Sequence, residues 1–435
     1  MKRLFLILST IIYTGFCQAQ IVANDSAHTG NQSDEMTFYS LRTGQKTTVS
    51  NTDWHIALSV RASQFPLNTL QGTTIRINEA WGVKAYQIPG FTADSFNIKL
   101  DTAGYHNWLQ LHDSDTSIDM GALNNGLNIS VYNYGWGVYG GPPNHDVVGT
   151  KVFLFELPGG ALKKFWVEQL DRDTAWVVNY ANPDNSDFHS TRISKAQYLG
   201  KNLVYLDMLH QVVHDKEPLS AEWDLLFTRY TATDVVSGKF YPAVGVLQNK
   251  GRTMARRAAF DVLSNDYSML TFATRSNVIG WNWKYAASIQ AYLAGKNFTF
   301  QNTYYFVTDS LSFFARNQQG DVFKLIFTAY DLYTGKISFY QEQMGLTSAL
   351  PQTQPNIPVA LYPVPAQNQL NVQFDNNPNT TVLIYDMLGH VLISTALTQP
   401  HNTLNIETLP NGLYTLQLLN EQQQTLAVKK FTVAR

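Results

Sequence analysis

Apolar and polar residues alternate along residues 359–435. A period of two residues is typical of strands that have one face in a core and the other in solvent. The alternation breaks at residues 376–379, 388–389 and 410–412, where Asn, Pro and Gly favour turns. The pattern predicts a small antiparallel β-sandwich, whose alternating apolar positions include Leu370, Val372, Phe374, Val382, Ile384, Tyr385, Leu404, Ile406, Leu413, Tyr414 and Leu416.

A second pattern, rich in aromatic residues, occurs twice between residues 34 and 345. Residues 37–41 form an aromatic run, and residues 53–58 follow with Asp-Trp and then aliphatic residues. Residues 203–208 and 222–227 repeat this order, with Glu-Trp in place of Asp-Trp. Self-similarity of this kind indicates a duplicated structural unit.

Each copy also contains a predicted hairpin with Gly at its turn. The chain runs from Phe153 through Gly160 to Lys164, and the same spacing recurs from Phe313 through Gly320 to Lys324. We therefore predict an all-β fold with two related β-sandwich units, at residues 34–200 and 201–345. Residues 346–358 contain three prolines among polar residues and are predicted to be a linker to the domain at 359–435.

The N-terminus predicts export. Residues 1–3 are basic at two positions, residues 4–16 are apolar, and small side chains precede Gln20, so residues 1–19 are predicted to be a signal peptide. The apolar run is too short for a permanent membrane helix, and no later stretch is apolar enough to span one. Lipoprotein anchoring at Cys17 is an alternative, although the bulky Phe16 precedes it where a small residue is needed.

Composition narrows the function. The chain has one Cys, which the predicted cleavage removes, so neither disulfides nor thiol catalysis are expected. A net charge of −2 without a basic cluster argues against nucleic acid as a partner. The sequence has no zinc-hydrolase, nucleophile-elbow or phosphate-loop motif. These features favour a protein that is not an enzyme.

Four ordered motifs at the C-terminal end resemble the type IX secretion C-terminal sorting domain of Bacteroidetes. Residues 362–370 read YPVPAQNQL, residues 384–392 read IYDMLGHVL, residues 409–418 read LPNGLYTLQL, and a final strand carries Lys429 and Lys430. The sequence departs from the family in having Val364 where Asn is usual. The resemblance implies interaction with the type IX secretion machinery, transport across the outer membrane, and release or attachment at the surface.

The duplicated region resembles the HmuY family of secreted haem-binding proteins. The segments that carry this resemblance are residues 38–58, 136–167, 201–230, 280–284 and 313–340. HmuY proteins have a single unit, so this chain departs by duplicating it. The resemblance implies a β-sandwich and places axial haem ligands between Trp54 and Phe153.

His106, His112 and His145 lie in that region, and His112 and His145 are the predicted haem ligands. Two neutral imidazoles on opposing loops are able to ligate haem iron from both sides. Aromatic residues that would cover a porphyrin are Trp108, Tyr132, Tyr134, Trp136 and Tyr139. The alternative is that both histidines lie in ordinary loops. The second unit has no His from residue 215 to residue 340, and its only soft ligands there would be Met254 and Met269.

Two other kinds of site stay open. Residues 113–119 and 182–187 place oxygen-bearing side chains at alternate positions, as calcium loops do, but Ile118 stands where an EF-hand needs Gly. Asx turns explain both segments equally well. Exposed Trp side chains would bind sugar rings, and the candidates are Trp81, Trp108, Trp136, Trp281 and Trp283. The predicted function is a secreted, non-enzymatic binding protein for haem or a similar flat ligand; the alternative is a surface carbohydrate-binding or adhesion protein.

Overall fold

A computed structural model describes residues 22–344 and 359–435, apart from residues 62–71, 126, 128, 235–236, 260–264, 266, 268–270, 289–302, 309–310, 375–379, 387–390, 400 and 421–424. The chain forms two compact units, divided between Ser348 and Ala349. The predicted signal peptide, the predicted linker and Met269 lie outside the described residues.

The first unit is built from β-strands, which confirms the predicted all-β class. Its strands are β1 Val22–His28, β2 Glu35–Tyr39, β3 Lys46–Ser50, β4 Ile56–Ser59, β5 Ile75–Ile77, β6 Lys84–Thr92, β7 Leu109–Leu111, β8 Gly137–Tyr139, β9 Val147–Gly149, β10 Lys151–Glu156, β11 Leu162–Asp171, β12 Ala175–Ala181, β13 His189–Ser194, β14 Leu203–Asp207, β15 Val212–His214, β16 Leu225–Thr233, β17 Phe240–Gln248, β18 Met254–Ala259, β19 Lys284–Ser288, β20 Thr303–Val307, β21 Leu311–Arg316, β22 Val322–Asp331 and β23 Lys336–Met344. Short 3₁₀ helices occur at Asn31–Ser33, Glu79–Trp81, Ala93–Ser95, Tyr105–Asn107 and Lys195–Tyr198. Within the described residues, no helix has the length and apolar character that a membrane span requires.

Four sheets form the body of this unit, and β19 pairs with β20 separately. Sheet A has the order β1-β23-β22-β21-β18, and sheet B has the order β17-β16-β2-β3. Sheet C has the order β15-β14-β4-β5, and sheet D has the order β13-β12-β11-β10-β6-β7, with β8 and β9 joined to β11.

Three buried clusters place these sheets in four layers. One core lies between sheets A and B, where Tyr39 packs with residues of sheet A such as Phe339. Another lies between sheets C and D, where Leu206 packs with residues such as Phe165. Because neighbouring strand residues point to opposite faces, Phe38 and Tyr205 point the other way and meet between sheets B and C. The order of layers is therefore A, B, C, D.

The strand pairing of sheet B repeats in sheet C. In sheet B, β2 pairs with β16, and Phe38 lies opposite Leu226. In sheet C, β14 pairs with β4, and Tyr205 lies opposite Ala57. The outer sheets also correspond to each other, because β1 pairs with β23 in sheet A and β13 pairs with β12 in sheet D. The two aromatic stretches therefore occupy equivalent places in the sheet order.

Because strands of the two sequence blocks pair with each other, the boundary between the blocks is not a boundary between sheets. Sheets B and C each contain strands from both sequence blocks, and sheet A joins β1, which precedes the first block, to strands of the second block. Sheet D consists of strands of the first block alone. The division at residues 34–200 and 201–345 is thus a division of the sequence and not of the sheets. Strands that pair across the molecule keep the two blocks together in one compact unit.

The two predicted hairpins are confirmed. Strands β10 and β11 pair around Gly159 and Gly160, and β21 pairs with β22 around Gly320. All three glycines have positive φ, which a side chain disfavours at these tight turns. A bulge follows Val167 in one copy and Phe327 in the other, so even this irregularity recurs at the equivalent position.

The described residues of the second unit form a sandwich of seven strands, which are β24 Val359–Tyr362, β25 Gln369–Phe374, β26 Thr380–Tyr385, β27 Val391–Leu397, β28 His401–Asn405, β29 Gly412–Leu419 and β30 Thr425–Val433. They lie in two sheets of order β24-β25-β28 and β27-β26-β29-β30. Leu370, Val372, Val382 and Ile384 are fully buried in its core, which confirms the predicted alternation, whereas Leu413 is exposed. The predicted turns at residues 376–379 and 388–389 lie outside the described residues.

Candidate ligand-binding cleft

A cavity of about 90 Å³ lies between sheets B and C, and we call it the central chamber. Its walls are mainly apolar, and aromatic pairs meet there edge to face. Phe38 contacts Trp223 with ring centroids 5.0 Å apart, and Trp54 contacts Tyr205 at 4.9 Å. The apolar lining residues are Met36, Trp54, Ala57, Ile77, Ala80, Ile118, Leu203, Tyr205, Trp223, Leu226 and Leu247.

A second cavity of about 180 Å³, the outer pocket, adjoins the chamber because Asp115 and Tyr230 line both. One aromatic corner is formed by Tyr241 and Trp281, whose rings are perpendicular with centroids 5.3 Å apart. The remaining lining is polar and consists of Asp115, Tyr230, Thr233, Asp234, Asn277, Gly280 and Asn282. Apolar walls next to convergent polar groups are typical of small-molecule sites.

The segment 113–119 forms a wall that joins the two sequence blocks. Asp115 Oδ2 accepts hydrogen bonds from Asn277 Nδ2 at 3.0 Å and from the Thr233 amide at 3.2 Å. The Ser276 amide donates to the Thr116 carbonyl at 2.9 Å. This network fixes the carboxylate of Asp115, which lines both cavities.

Arg76 holds the other end of the same segment. Its guanidinium lies 3.4 Å from Asp113 Oδ2 and donates to the carbonyl of Ile118 at 3.2 Å. Burial raises the pKa of Asp113 to about 7, while Arg76 opposes the rise and nearby Glu79 adds to it. A buried ion pair therefore fixes the floor of the central chamber.

Three buried polar atoms of chamber residues have no hydrogen-bond partner among the described residues. They are Asn51 Nδ2, the Tyr230 hydroxyl and Gln248 Oε1. The side chain of Gln248 faces sheet A, because Gln248 stands opposite Leu225 of the core between sheets A and B. Trp54 Nε1 donates to Asn51 Oδ1 at 3.0 Å, and this bond sets which way the amide faces. An unpaired buried polar atom costs about 1–3 kcal/mol, so such atoms point to a ligand or an ordered water.

Gly280 has a conformation and a position that exclude a side chain. Its φ is +62°, and a Cβ atom there would lie 3.4 Å from the Tyr230 hydroxyl and 2.9 Å from the Asn277 carbonyl oxygen. A glycine at this point avoids both contacts and adopts the positive φ without strain.

The structure records no contact that joins the two predicted haem ligands. His112 Nδ1 lies 2.6 Å from Glu79 Oε1, and the ring stacks on Phe240 with centroids 3.9 Å apart. His145 bonds instead to the Tyr139 hydroxyl. Neither histidine lines the chamber or the outer pocket. Haem ligation by His112 and His145 stays a prediction that these contacts do not support.

His106 and His55 have other surroundings. His106 packs against Tyr105, with ring centroids 3.9 Å apart. His55 is fully buried, and the Met208 amide donates to its Nδ1 at 3.1 Å. Burial lowers the pKa of His55 to about 4, although Asp207 opposes the shift.

The first candidate calcium segment binds the protein's own groups. Asp113 pairs with Arg76, and Asp119 lies 3.0 Å from Arg61 and 3.2 Å from Lys250. In the part of the chain that the structure describes, no group of three or more His, Cys, Asp or Glu residues is arranged to hold a metal ion.

The second segment, 182–187, receives two buried lysines of β11. Lys163 bonds to Asn182 at 2.8 Å and also to Asp187. Lys164, whose side chain is fully buried, bonds to Asn185. These oxygens stabilise ammonium groups, which accounts for their spacing.

Only one of the five candidate sugar-stacking tryptophans lines a described cavity, and it is Trp281. Trp136 and Trp283 are buried core residues, with 0% and 1% exposure, so their proposed role in stacking was wrong. Trp81 packs near His55, and Trp108 packs against a buried cluster.

Sequence reasoning missed Asn51, Tyr230 and Gln248. One pattern pointed to Gln248, because it stands two residues after the buried Val246 and so faces the same side of β17. An amide on an apolar strand face is a mark of a buried polar site. For Asn51 and Tyr230, no local pattern distinguishes them from other polar and aromatic residues.

The fold and cavities define an all-β protein with a ligand-sized cleft in its larger unit. Residues 360–434 match the family described as the secretion system C-terminal sorting domain. The chain thus carries a type IX sorting domain and is a secreted or cell-surface protein. No curated protein matches the sequence.

Solved structures resemble the chain only weakly. PorZ, a surface component of the type IX secretion system of Porphyromonas gingivalis, is 13% identical over 72% of this chain and 47% of its own, with a TM-score of 0.16. The extracellular domain of a protein described as a hybrid two-component system from B. thetaiotaomicron is 11% identical over 71% and 45%, with a TM-score of 0.15. The chain spans less than half the length of either, and these likenesses establish no function.

Proposed function

We propose that the protein is a secreted, non-enzymatic binding protein that holds a carbohydrate ring in the outer pocket. The observation that carries this proposal is the pairing of the Trp281–Tyr241 corner with fixed polar groups, among them Asp115 and Asn277. Haem binding, the first sequence-based hypothesis, is less well supported, because neither His112 nor His145 lines the central chamber or the outer pocket.

The chemistry of the pocket suits a pyranose. One face of a sugar ring presents C–H groups, which pack on an aromatic side chain, while its edge presents hydroxyls. Carboxylates accept strong hydrogen bonds from hydroxyls, and Asn side chains both donate and accept. A cavity of about 180 Å³ has room for one such ring.

Delivery to the surface is the part of this function that belongs to the second unit. We propose that residues 359–435 engage the type IX machinery and that the larger unit is the cargo. Deleting residues 359–435 is expected to retain the larger unit in the periplasm, as measured by fractionation and immunoblotting. Normal secretion of the truncated chain would contradict this role.

Glycan binding is tested with the purified secreted chain on a glycan array, followed by calorimetry on the best ligand. Trp281→Ala is expected to weaken binding at least tenfold, because the stacking surface is lost. Tyr333→Ala is the matched control, since Tyr333 is a 73% exposed aromatic residue outside both cavities, and this variant should bind as the parent does. Unchanged binding by the Trp281 variant, or no glycan binding at all, would overturn the proposal.

A further inference from the structure

We infer that the outer pocket selects a positively charged sugar, namely a hexosamine whose amino group is free and protonated. This inference rests on the proposed function and specifies its ligand. The carboxylates of Asp115 and Asp234 both line the pocket, and none of its described lining residues is Lys, Arg or His. The pocket therefore presents negative charge to whatever it binds.

Asp115 differs from the other acidic residues of its segment in having no cationic partner. Asp113 lies 3.4 Å from the guanidinium of Arg76, and Asp119 lies 3.0 Å from that of Arg61. Asp115 is buried too, with 9% exposure, yet it forms no ion pair within the part of the chain that the structure describes. A buried charge without a counterion is costly. A cationic ligand would supply that counterion.

The hydroxyl of Tyr230 is a second group that points to a ligand. Tyr230 is 7% exposed, and its hydroxyl has no hydrogen-bond partner among the described residues. A Cβ atom at Gly280, which lines the pocket, would lie 3.4 Å from that oxygen, so the hydroxyl lies at the pocket wall. Burial and the charge of Asp115 raise the pKa of Tyr230, so the phenol stays neutral beside the carboxylate.

An ammonium group satisfies both of these groups. It has three N–H donors, and a carboxylate oxygen and a phenol oxygen both accept from N–H. Asn277 Nδ2 and the Thr233 amide both donate to Oδ2 of Asp115, which leaves Oδ1 able to accept from the ligand. The rings of Tyr241 and Trp281 complete the site, because a cation is attracted to an aromatic face.

The same charges disfavour the other common classes of sugar. A uronic acid would bring a further carboxylate next to Asp115 and Asp234, and like charges repel. A neutral hexose, N-acetylated or not, would form hydrogen bonds but would leave the charge of Asp115 without a counterion. The expected order of affinity is therefore amino sugar, neutral sugar and acidic sugar.

The test measures by calorimetry how the full secreted chain binds the methyl glycosides of glucosamine, glucose, N-acetylglucosamine and glucuronic acid. The glucosaminide is expected to bind about tenfold more tightly than either neutral sugar, because hydrogen bonds to charged groups are the stronger ones. Equal affinities, or tighter binding of a neutral or acidic sugar, would overturn this inference and leave the proposed function standing. Failure of all four sugars to bind would overturn both.

Charge-removing variants locate the preference. Asp115→Asn keeps the size of the side chain, and it is expected to lower the ratio of glucosaminide to glucoside affinity about tenfold. Asp94→Asn removes the same charge at an exposed position outside both cavities and should leave the ratio unchanged. A folded Asp115 variant that keeps the full ratio, or an equal fall in the Asp94 variant, would contradict the inference.

A second variant keeps the test decisive if thermal unfolding shows that the Asp115 variant does not fold. Tyr230→Phe removes only the unpaired hydroxyl and is expected to lower glucosaminide affinity about tenfold. Unchanged glucosaminide affinity in this variant would contradict the assignment of the ammonium group to the wall formed by Tyr230 and Asp115.

Discussion

Sheets B and C share the same buried hydrogen-bonding framework but differ at several side chains near the cavities. In sheet C, Asn78 Nδ2 donates to the carbonyls of Asn51 and Trp54 at 2.8 and 3.1 Å. In sheet B, Asn249 makes the same two bonds around Trp223, both at 2.8 Å. The buried scaffold is therefore built twice.

A second equivalent pair uses different chemistry for the same task. His55 Nδ1 accepts from the Met208 amide, and Asp224 Oδ2 accepts from the Leu41 amide at the matching position. An imidazole nitrogen and a carboxylate oxygen thus satisfy equivalent backbone donors. The two positions therefore carry different chemical groups that have the same hydrogen-bonding role.

The halves diverge at the cavities. Counting from the paired strands, Ile77 of β5 corresponds to Gln248 of β17, and Arg61 corresponds to Tyr230. Ile77 is ordinary core and Arg61 pairs with Asp119, whereas Gln248 and Tyr230 each carry an unpaired buried atom. A duplicated scaffold supplies stability in both halves, and the unmatched polar atoms appear where one half departs from the other.

The largest expected effect comes from the two equivalent tryptophans. Trp54→Ala and Trp223→Ala should each lower the free energy of unfolding by about 3–5 kcal/mol, because each removes a buried ring with an edge-to-face partner. Chemical denaturation of the larger unit measures both. A large loss for one and almost none for the other would break the equivalence of the two halves.

Acid sensitivity should distinguish His55 from Asp224. The pKa of His55 is lowered to about 4 in the folded state, so between pH 4 and 6.5 the unfolded chain binds the extra proton. Stability from this residue is therefore gained as pH rises through that window, by about 3 kcal/mol at most. His55→Asn should remove this part of the rise between pH 4.5 and pH 7.5.

Asp224 has the opposite sign and provides the control for that comparison. Burial raises its pKa, so the folded chain holds the proton at pH values where the unfolded chain has released it. Its contribution to stability therefore falls as pH rises through the interval above 3.8. Asp224→Asn should make the pH profile rise more steeply, and a flatter profile would contradict the assignment.

The smallest effect on stability is expected when the halves are made alike. Gln248→Ile places in sheet B the residue type that sheet C has at the equivalent position, and it removes an unpaired buried oxygen together with two long hydrogen bonds. The free energy of unfolding should change by about 1 kcal/mol or less. Chemical denaturation measures this change, and a loss of several kcal/mol would contradict the equivalence of the two positions.

Local patterns were sufficient to predict the parts of the fold that depend on neighbours in sequence. The alternation around Leu370 and Val382 gave the strands of the sorting domain, and the spacing of Gly160 and Gly320 gave the hairpins. These predictions succeeded because strand period and turn geometry are decided within a few residues.

The exchanged pairing was not predictable from the same patterns. Phe38 pairs with Leu226, which is far from it in the sequence, and a period of two does not specify the partner strand. The chamber was missed for the same reason, since Asn51 and Tyr230 come to line one cavity only when sheets B and C pack face to face. Trp281 and Trp283 were both candidates, and only the structure shows that Trp281 lines a cavity whereas Trp283 is a core residue.

The most direct test of the account is a crystal structure of the secreted chain with the sugar that binds best on the glycan array. The account predicts the sugar ring in the outer pocket, against Trp281 and within hydrogen-bonding distance of Asp115 or Asn277. A sugar bound elsewhere, or an outer pocket that holds only water at saturating ligand, would contradict it.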